Sequence, residues 1–389
     1  MPVQPDVQRH MQPLDGVRGI AVLLVMMHHA YQFAGMRHPI DRAVDVITST
    51  GWVGVDLFFV LSGFLITGIL LDARDSPWLF RAFYARRALR IFPLYYVYLA
   101  VCLVLLPALL GESLFPKAEA KQLWLWTYLA NYTLAFGFLH RPLNHLWSLA
   151  VEEQFYLVWP AVVWTLGRRR LVPVLMVLLP AVCVLRAWMD AAGYSGQAIY
   201  MLTWTRIDAL AMGALVAAVA RGPGGLLYWR PMAIAVLAFV LPGLALYAWP
   251  DGGLGYAGNP RVASGLMYSG IAASCAALIV LLLTAEPSWR TRLLSRGLLP
   301  TLGKYSYAMY ILHMPVDIGL REAGIHPNGW TTAADFRTPA FVLYMVVFTT
   351  LTLLAAMGSW HILEKHFLRL KKYVPYRPPQ QTETTSEAV

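Results

Sequence analysis

Charge is scarce in this chain of 389 residues: Asp, Glu, Lys and Arg make up 13% of it, against 58% apolar residues. Soluble domains carry roughly 25% charged and about 45–50% apolar residues, and a soluble fold of this size could not keep so much apolar surface from water. Cysteine is scarce too. Cys102, Cys183 and Cys275 each sit inside an apolar run, without disulfide or metal-type spacing, and read as small buried residues. The sequence has no P-loop, no Rossmann glycine pattern, no Gly-x-Ser-x-Gly, no zinc signature and no internal repeat. No metal is expected.

What the chain has instead is long apolar runs, and a transmembrane helix needs about 20 mostly apolar residues. Ten spans are expected, near 17–34, 52–71, 92–111, 147–166, 171–189, 198–220, 231–249, 263–284, 299–320 and 338–361. The first, starting near Val17, is long enough to span, so no cleaved signal peptide is expected. The expected fold is all-α: a polytopic transmembrane bundle forming one domain over residues 1–372, with both termini cytoplasmic. The tail, residues 373–389, turns to Pro, Gln, Thr, Ser and Glu and is expected to be disordered.

The net charge of +10 follows from this topology and calls for no nucleic acid. Of the 31 Lys and Arg residues, 20 fall in segments expected inside, 8 in segments expected outside and 3 within spans, as the positive-inside rule requires. Trp124 to Leu139 is aromatic and apolar, but counting it as a span would put Arg168–Arg170 outside. It is expected to be interfacial or re-entrant.

Ionisable groups at membrane depth are costly and tend to mark a site. On the first helix, Arg18 and His29 are 11 residues apart, about 20° around the helix and about 16 Å along it. They share a face, with Arg18 toward the cytoplasm and His29 past the midplane. Neutral imidazole is tunable as a base near neutral pH; anchoring of Arg18 at the headgroups and bonding of His29 to a neighbouring helix are the plainer readings. Asp56, His145, Glu152, Arg206, Asp208 and His313 fall in the outer half of their helices. Asp56 as a cap and Arg206 with Asp208 as a structural pair remain open readings.

The loop after the second span carries Arg81, Arg86, Arg87 and Arg90 among Phe83 and Tyr84. The planar fork of Arg suits phosphate, and Arg87-x-x-Arg90 puts two forks on one helical face, as a diphosphate would need. A lipid-headgroup anchor is the alternative for any single arginine. Ser62 reads as a small residue at a helix contact as readily as a nucleophile.

Five stretches resemble the acyltransferase-3 family of membrane O-acyltransferases. They are Leu14-Asp15-Gly16-Val17-Arg18-Gly19 running on to His28-His29; Gly54-Val55-Asp56-Leu57-Phe58-Phe59-Val60-Leu61-Ser62-Gly63; Arg86-Arg87-Ala88-Leu89-Arg90-Ile91-Phe92-Pro93; His145-Leu146-Trp147-Ser148-Leu149-Ala150-Val151-Glu152-Glu153-Gln154-Phe155-Tyr156; and Tyr305-Ser306-Tyr307 to His313-Met314-Pro315. The resemblance covers about 12 to 365. It implies a multi-pass enzyme of the bacterial cytoplasmic (inner) membrane, with acyl-CoA, acetyl-CoA by default, donated from inside to a hydroxyl of an extracytoplasmic glycan, glycolipid or related acceptor. It associates Arg18 and His29 with chemistry and Arg87 and Arg90, with Arg86 beside them, with the donor. On that basis His29 is expected as the base, oriented by Glu152, with Arg18 along the donor channel. Many relatives carry a C-terminal extracytoplasmic domain, which this chain is expected to lack, favouring direct transfer or a separate extracytoplasmic partner. A transporter using a buried His, Glu and Arg relay is the competing reading.

Overall fold

The structure, a computed structural model, describes residues 12–30, 38–110, 122–137, 143–248, 265–326 and 336–376. Among these residues every regular element is a helix. In order they are α1 (Gln12–Ala30), α2 (Pro39–Ser49), α3 (Val53–Asp72), α4 (Leu79–Ala100, continuing to Leu110), α5 (Gln122–Trp126), α6 (Ala130–Ala135), α7 (Leu146–Ala191), α8 (Gly196–Met201), α9 (Thr203–Ala220), α10 (Arg230–Ala248), α11 (Leu266–Leu283), α12 (Trp289–Ser295), α13 (Leu298–Glu322) and α14 (Thr338–Ser359, continuing to Arg369).

Within the described residues, each of the ten expected apolar runs falls on a helix. Six continuous helical stretches among the described residues are long and apolar enough to cross a membrane. The difference has physical sources. The runs at 147–166 and 171–189 are joined in α7, broken only at Gly167, whose φ of 57° is open to glycine and strained for other residues. Helices α1 and α13 carry Arg18 and His29, and Lys304, His313 and Asp317, polar groups that lower their hydropathy.

Backbone polar groups in lipid must be satisfied internally, which leaves helices packed closely side by side. Gly63 of α3 lies against the carbonyl of Leu210 and Gly213 of α9 against that of Val60, so a side chain at either would collide with backbone. Gly303 of α13 and Gly19 of α1 bring those helices together in the same way, against Asp15 and Leu299.

One end of the bundle gathers the basic segments. Arg74 Nε donates to the carbonyl of Trp164 at 3.1 Å, Arg221 forks onto Asp72 at 2.6 and 2.5 Å, and Gly222 rests on the Arg168 guanidinium. The opposite end joins other connections: Asp41 accepts from the backbone of Arg337 and Thr338 at 3.1 and 2.9 Å, and Asn131 donates to the carbonyl of Met201 at 3.3 Å.

The stretch from Trp124 folds as α5 and α6, 5 and 6 residues long and too short to span. They are broken at Tyr128, a non-glycine residue at φ 56° whose carbonyl accepts from Gln154 Nε2 at 2.8 Å. Residues 138–139 lie outside the described set. The tail departs from expectation. Tyr373 to Tyr376, read from sequence as disordered, are folded back on the bundle: Arg86 Nη1 donates to the carbonyls of Lys371 and Val374 at 3.0 and 3.2 Å, and Ser76 to that of Tyr376. Residues 377–389 lie outside the described set.

Candidate active site

A cavity of about 1000 Å³ runs from the basic end into the bundle between α1, α3, α4, α7 and α13. Arg18, Arg86, Arg87, Arg90, Arg221, Lys304 and Lys371 line it, against Asp15, Asp72 and Glu152. Arg18 pairs with Asp15 at 2.8 Å, and Arg221 with Asp72. Arg87 and Arg90, three apart on α4, both face the space; the Arg87 guanidinium stands 5.9 Å from the Tyr156 ring, and its Nε is buried with no hydrogen-bond partner. Arg86 is different: its Nη1 is shared by two tail carbonyls and its guanidinium lies over Tyr376 at 5.4 Å.

Further in, Glu152 is within hydrogen-bond reach of Ser62 and Tyr156, which also bond each other, and feels the charges of Arg87 and Arg18. At the deep end Ser148 Oγ and the Tyr310 hydroxyl are 2.5 Å apart, and the Tyr310 hydroxyl donates to the carbonyl of His145 at 2.8 Å.

Behind Tyr310 stand three histidines. Its ring centroid is 5.5 Å from that of His145 and 5.7 Å from that of His313, and His313 lies 4.9 Å from His145 and 4.8 Å from His29. Each ring nitrogen that faces a carbonyl must carry a proton, because a carbonyl only accepts. His29 Nδ1 faces Val25 at 2.9 Å, His313 Nδ1 faces Tyr310 at 2.6 Å, and His145 Nε2 faces Ile311 at 3.2 Å. The Ile311 carbonyl lacks its usual helical donor because the residue four on is Pro315, which has no N–H. In the neutral rings these bonds leave lone pairs on His313 Nε2, 3.3 Å from His29 Nδ1, and on His29 Nε2. Among the described residues no group of three or more His, Cys, Asp and Glu is disposed to hold a metal.

The expected groups therefore separate into three sets. Glu152, expected to orient His29, lies on the cavity beside Arg87 and Arg18, and the ring nitrogen next to His29 Nδ1 is His313 Nε2 at 3.3 Å. Arg206 and Asp208 do not pair with each other: two residues apart on α9, they point to different neighbours. Arg206 bonds Asp56 at 2.7 Å inside a cage of Tyr200, Tyr268 and Phe59, which also rules out a simple cap at Asp56. Asp208 bonds Arg186 at 2.9 Å, and Arg186 further donates to Thr205, Gly265 and Ser269. Sequence reasoning left out Arg186, whose burial in a span was the available signal, and Tyr310 and Lys371, for which position along a helix gives none.

A family model described as an acyltransferase domain matches residues 12–360. YrhL of Bacillus subtilis (strain 168), whose name ties it to peptidoglycan O-acetylation, is 29% identical over 382 residues, 92% of this chain and 55% of that protein. SAS0844 of Staphylococcus aureus (strain MSSA476), whose name points to O-acetyl transfer, is 27% identical over 92% of this chain and 57% of its own length. The peptidoglycan O-acetyltransferase OatA of Listeria monocytogenes serovar 1/2a (strain ATCC BAA-679 / EGD-e) is 30% identical over 227 residues, 54% of this chain and 34% of OatA. The chain thus spans little more than half the length of the first two relatives. No solved structure matches it.

Proposed function

The chain belongs to the family of that acyltransferase domain, and from this premise we propose that it is a multi-pass inner-membrane O-acyltransferase moving an acetyl group from cytoplasmic acetyl-CoA to a glycan hydroxyl on the far side. The observation that carries the reading is the separation of an arginine-lined cavity from a histidine cluster by the single ring of Tyr310. The basic end is cytoplasmic by the positive-inside rule, which puts both termini there and completes ten crossings, α7 counting as two. Relatives named for peptidoglycan O-acetylation make a peptidoglycan sugar the acceptor to try first.

In this reading Arg87 and Arg90 hold the donor diphosphate and the pantetheine arm runs past Glu152 and Ser62, bringing the thioester to Ser148 and Tyr310. Glu152 holds Arg87 and Arg18 in place. The Nε2 lone pair of His29 takes the acceptor hydroxyl proton as its oxygen attacks the thioester carbonyl. The Tyr310 proton stays on the His145 carbonyl, and the Ser148 hydroxyl, rotated away from Tyr310, supplies a donor for the developing oxyanion. Collapse breaks the C–S bond, and the departing thiolate recovers the proton from the imidazolium. Products are an O-acetyl ester and CoA.

The test is reconstitution of the purified chain in vesicles, with radiolabelled acetyl-CoA on the face bearing the tail and peptidoglycan fragments on the other. Base-labile label on the glycan with stoichiometric release of CoA thiol is expected. Label that never leaves CoA, across a panel of glycan acceptors, would reject an acyltransferase; a transporter would leave the thioester intact.

A further inference from the structure

The donor cavity holds positive charge that its own acids do not answer. Arg18 and Arg221 are paired with Asp15 and Asp72, Arg86 Nη1 is committed to tail carbonyls, and the Lys304 ammonium stands over the Tyr305 and Trp360 rings. Arg87 and Arg90 are partly answered by Glu152 and Glu364. Lys371 is not: burial first, and then the like charges of Arg90, Arg87 and Arg86, push its ammonium down to about 7, and an anion beside it would restore its charge. Like charges brought together under partial burial repel. Yet the segment carrying Lys371 is held there, by Arg86 on the carbonyls of Lys371 and Val374 and by Ser76 on that of Tyr376. A fold that holds a lysine on the wall of the cavity that Arg86, Arg87 and Arg90 also line suits an anion with more charge than Arg87 and Arg90 alone would answer.

We propose that Lys371 binds the isolated ribose 3′-phosphate of the CoA donor, while Arg87 and Arg90 take the diphosphate; this rests on the reading of the cavity as a CoA site. The chemistry sorts the cations. Two planar forks three residues apart on one helix suit the linked phosphates. The compact ammonium of Lys371, on a separate segment beside Pro375 and Tyr376, suits a lone phosphate monoester. The tail is thereby a wall of the donor site, and it reads the feature that distinguishes CoA from other pantetheine carriers.

The experiment is calorimetric titration of the full chain in detergent micelles with CoA and with 3′-dephospho-CoA. Wild type should bind CoA about tenfold more tightly, the scale of one charge-assisted hydrogen bond. Lys371→Gln should lower CoA affinity to that of 3′-dephospho-CoA and leave the latter unchanged, which also reports intact folding; Lys371→Arg should recover most of the difference. Equal weakening of both ligands, or of neither, would overturn the role of Lys371 while leaving the donor reading standing. Wild type that binds neither ligand would sink the donor reading and this inference with it.

Discussion

His313 Nε2 lies 3.3 Å from His29 Nδ1, and both rings are fixed by bonds to helix carbonyls, His29 to Val25 and His313 to Tyr310. The carbonyls choose the tautomers, and the choice leaves Nε2 of His29 as the unprotonated nitrogen. His29→Ala should therefore cut acetyl transfer by about 10²–10⁴-fold, the span of a lost general base, with CoA binding unchanged. His313→Ala should cost less, since the base survives but loses its neighbour, and should shift the pH profile of kcat. Reconstituted transfer rates across pH check both, and a His29→Ala chain as active as wild type would remove the residue from the mechanism.

Arg87→Ala and Arg90→Ala should each raise the donor KM about tenfold or more, the loss of a charge-assisted hydrogen bond, with kcat changed less. Lysine should restore little at either position, because it keeps the charge and loses the planar fork. Arg86→Ala should behave differently. Its Nη1 holds the tail carbonyls, so the KM rise should come with faster proteolysis of the tail. A donor KM untouched by Arg87→Ala and Arg90→Ala together would take the diphosphate off these side chains.

The fully buried pair Asp56–Arg206, 2.7 Å apart, is proposed to be a packing element and not a reacting one. Removing one partner strands the other, a loss of about 3–5 kcal/mol. Arg206→Met should thus lower thermal stability sharply, and Asp56→Leu with Arg206→Met should recover much of it. Melting temperatures in detergent decide the matter, with transfer activity tracking the amount of folded protein. Stable single variants lacking only activity would instead place the pair in the chemistry.

Much of this was legible in the chain, and the boundary of legibility has a physical origin. Apolar length and the 3.6-residue period located helices and the faces of Arg18, His29, Arg87 and Arg90, because those properties belong to one helix at a time. They say nothing about which helices are neighbours. Depth alone grouped Glu152 with His29, whereas packing puts Glu152 in the arginine-lined cavity and His313 beside His29. Likewise Arg206 and Asp208, close in sequence, answer Asp56 and Arg186 from α3 and α7. The tail composition concealed a short ordered return that only the carbonyl acceptors at Lys371 and Val374 reveal.

Pro315 offers the sharpest separation of stability from activity. Its missing N–H leaves the Ile311 carbonyl to His145 Nε2, so the lost backbone donor is what fastens His145 in the histidine cluster. Pro315→Ala would return a backbone donor to that carbonyl and lift the helix-interior penalty of proline, a change worth up to about 3 kcal/mol in favour of the fold. The freed His145 would no longer be held against Tyr310 and His313. The variant should therefore melt at the same temperature as wild type or higher, bind CoA normally and transfer acetyl more slowly. If it keeps full activity, the His145–Ile311 bond is merely a helix repair, and the cluster depends on His29 and His313 alone.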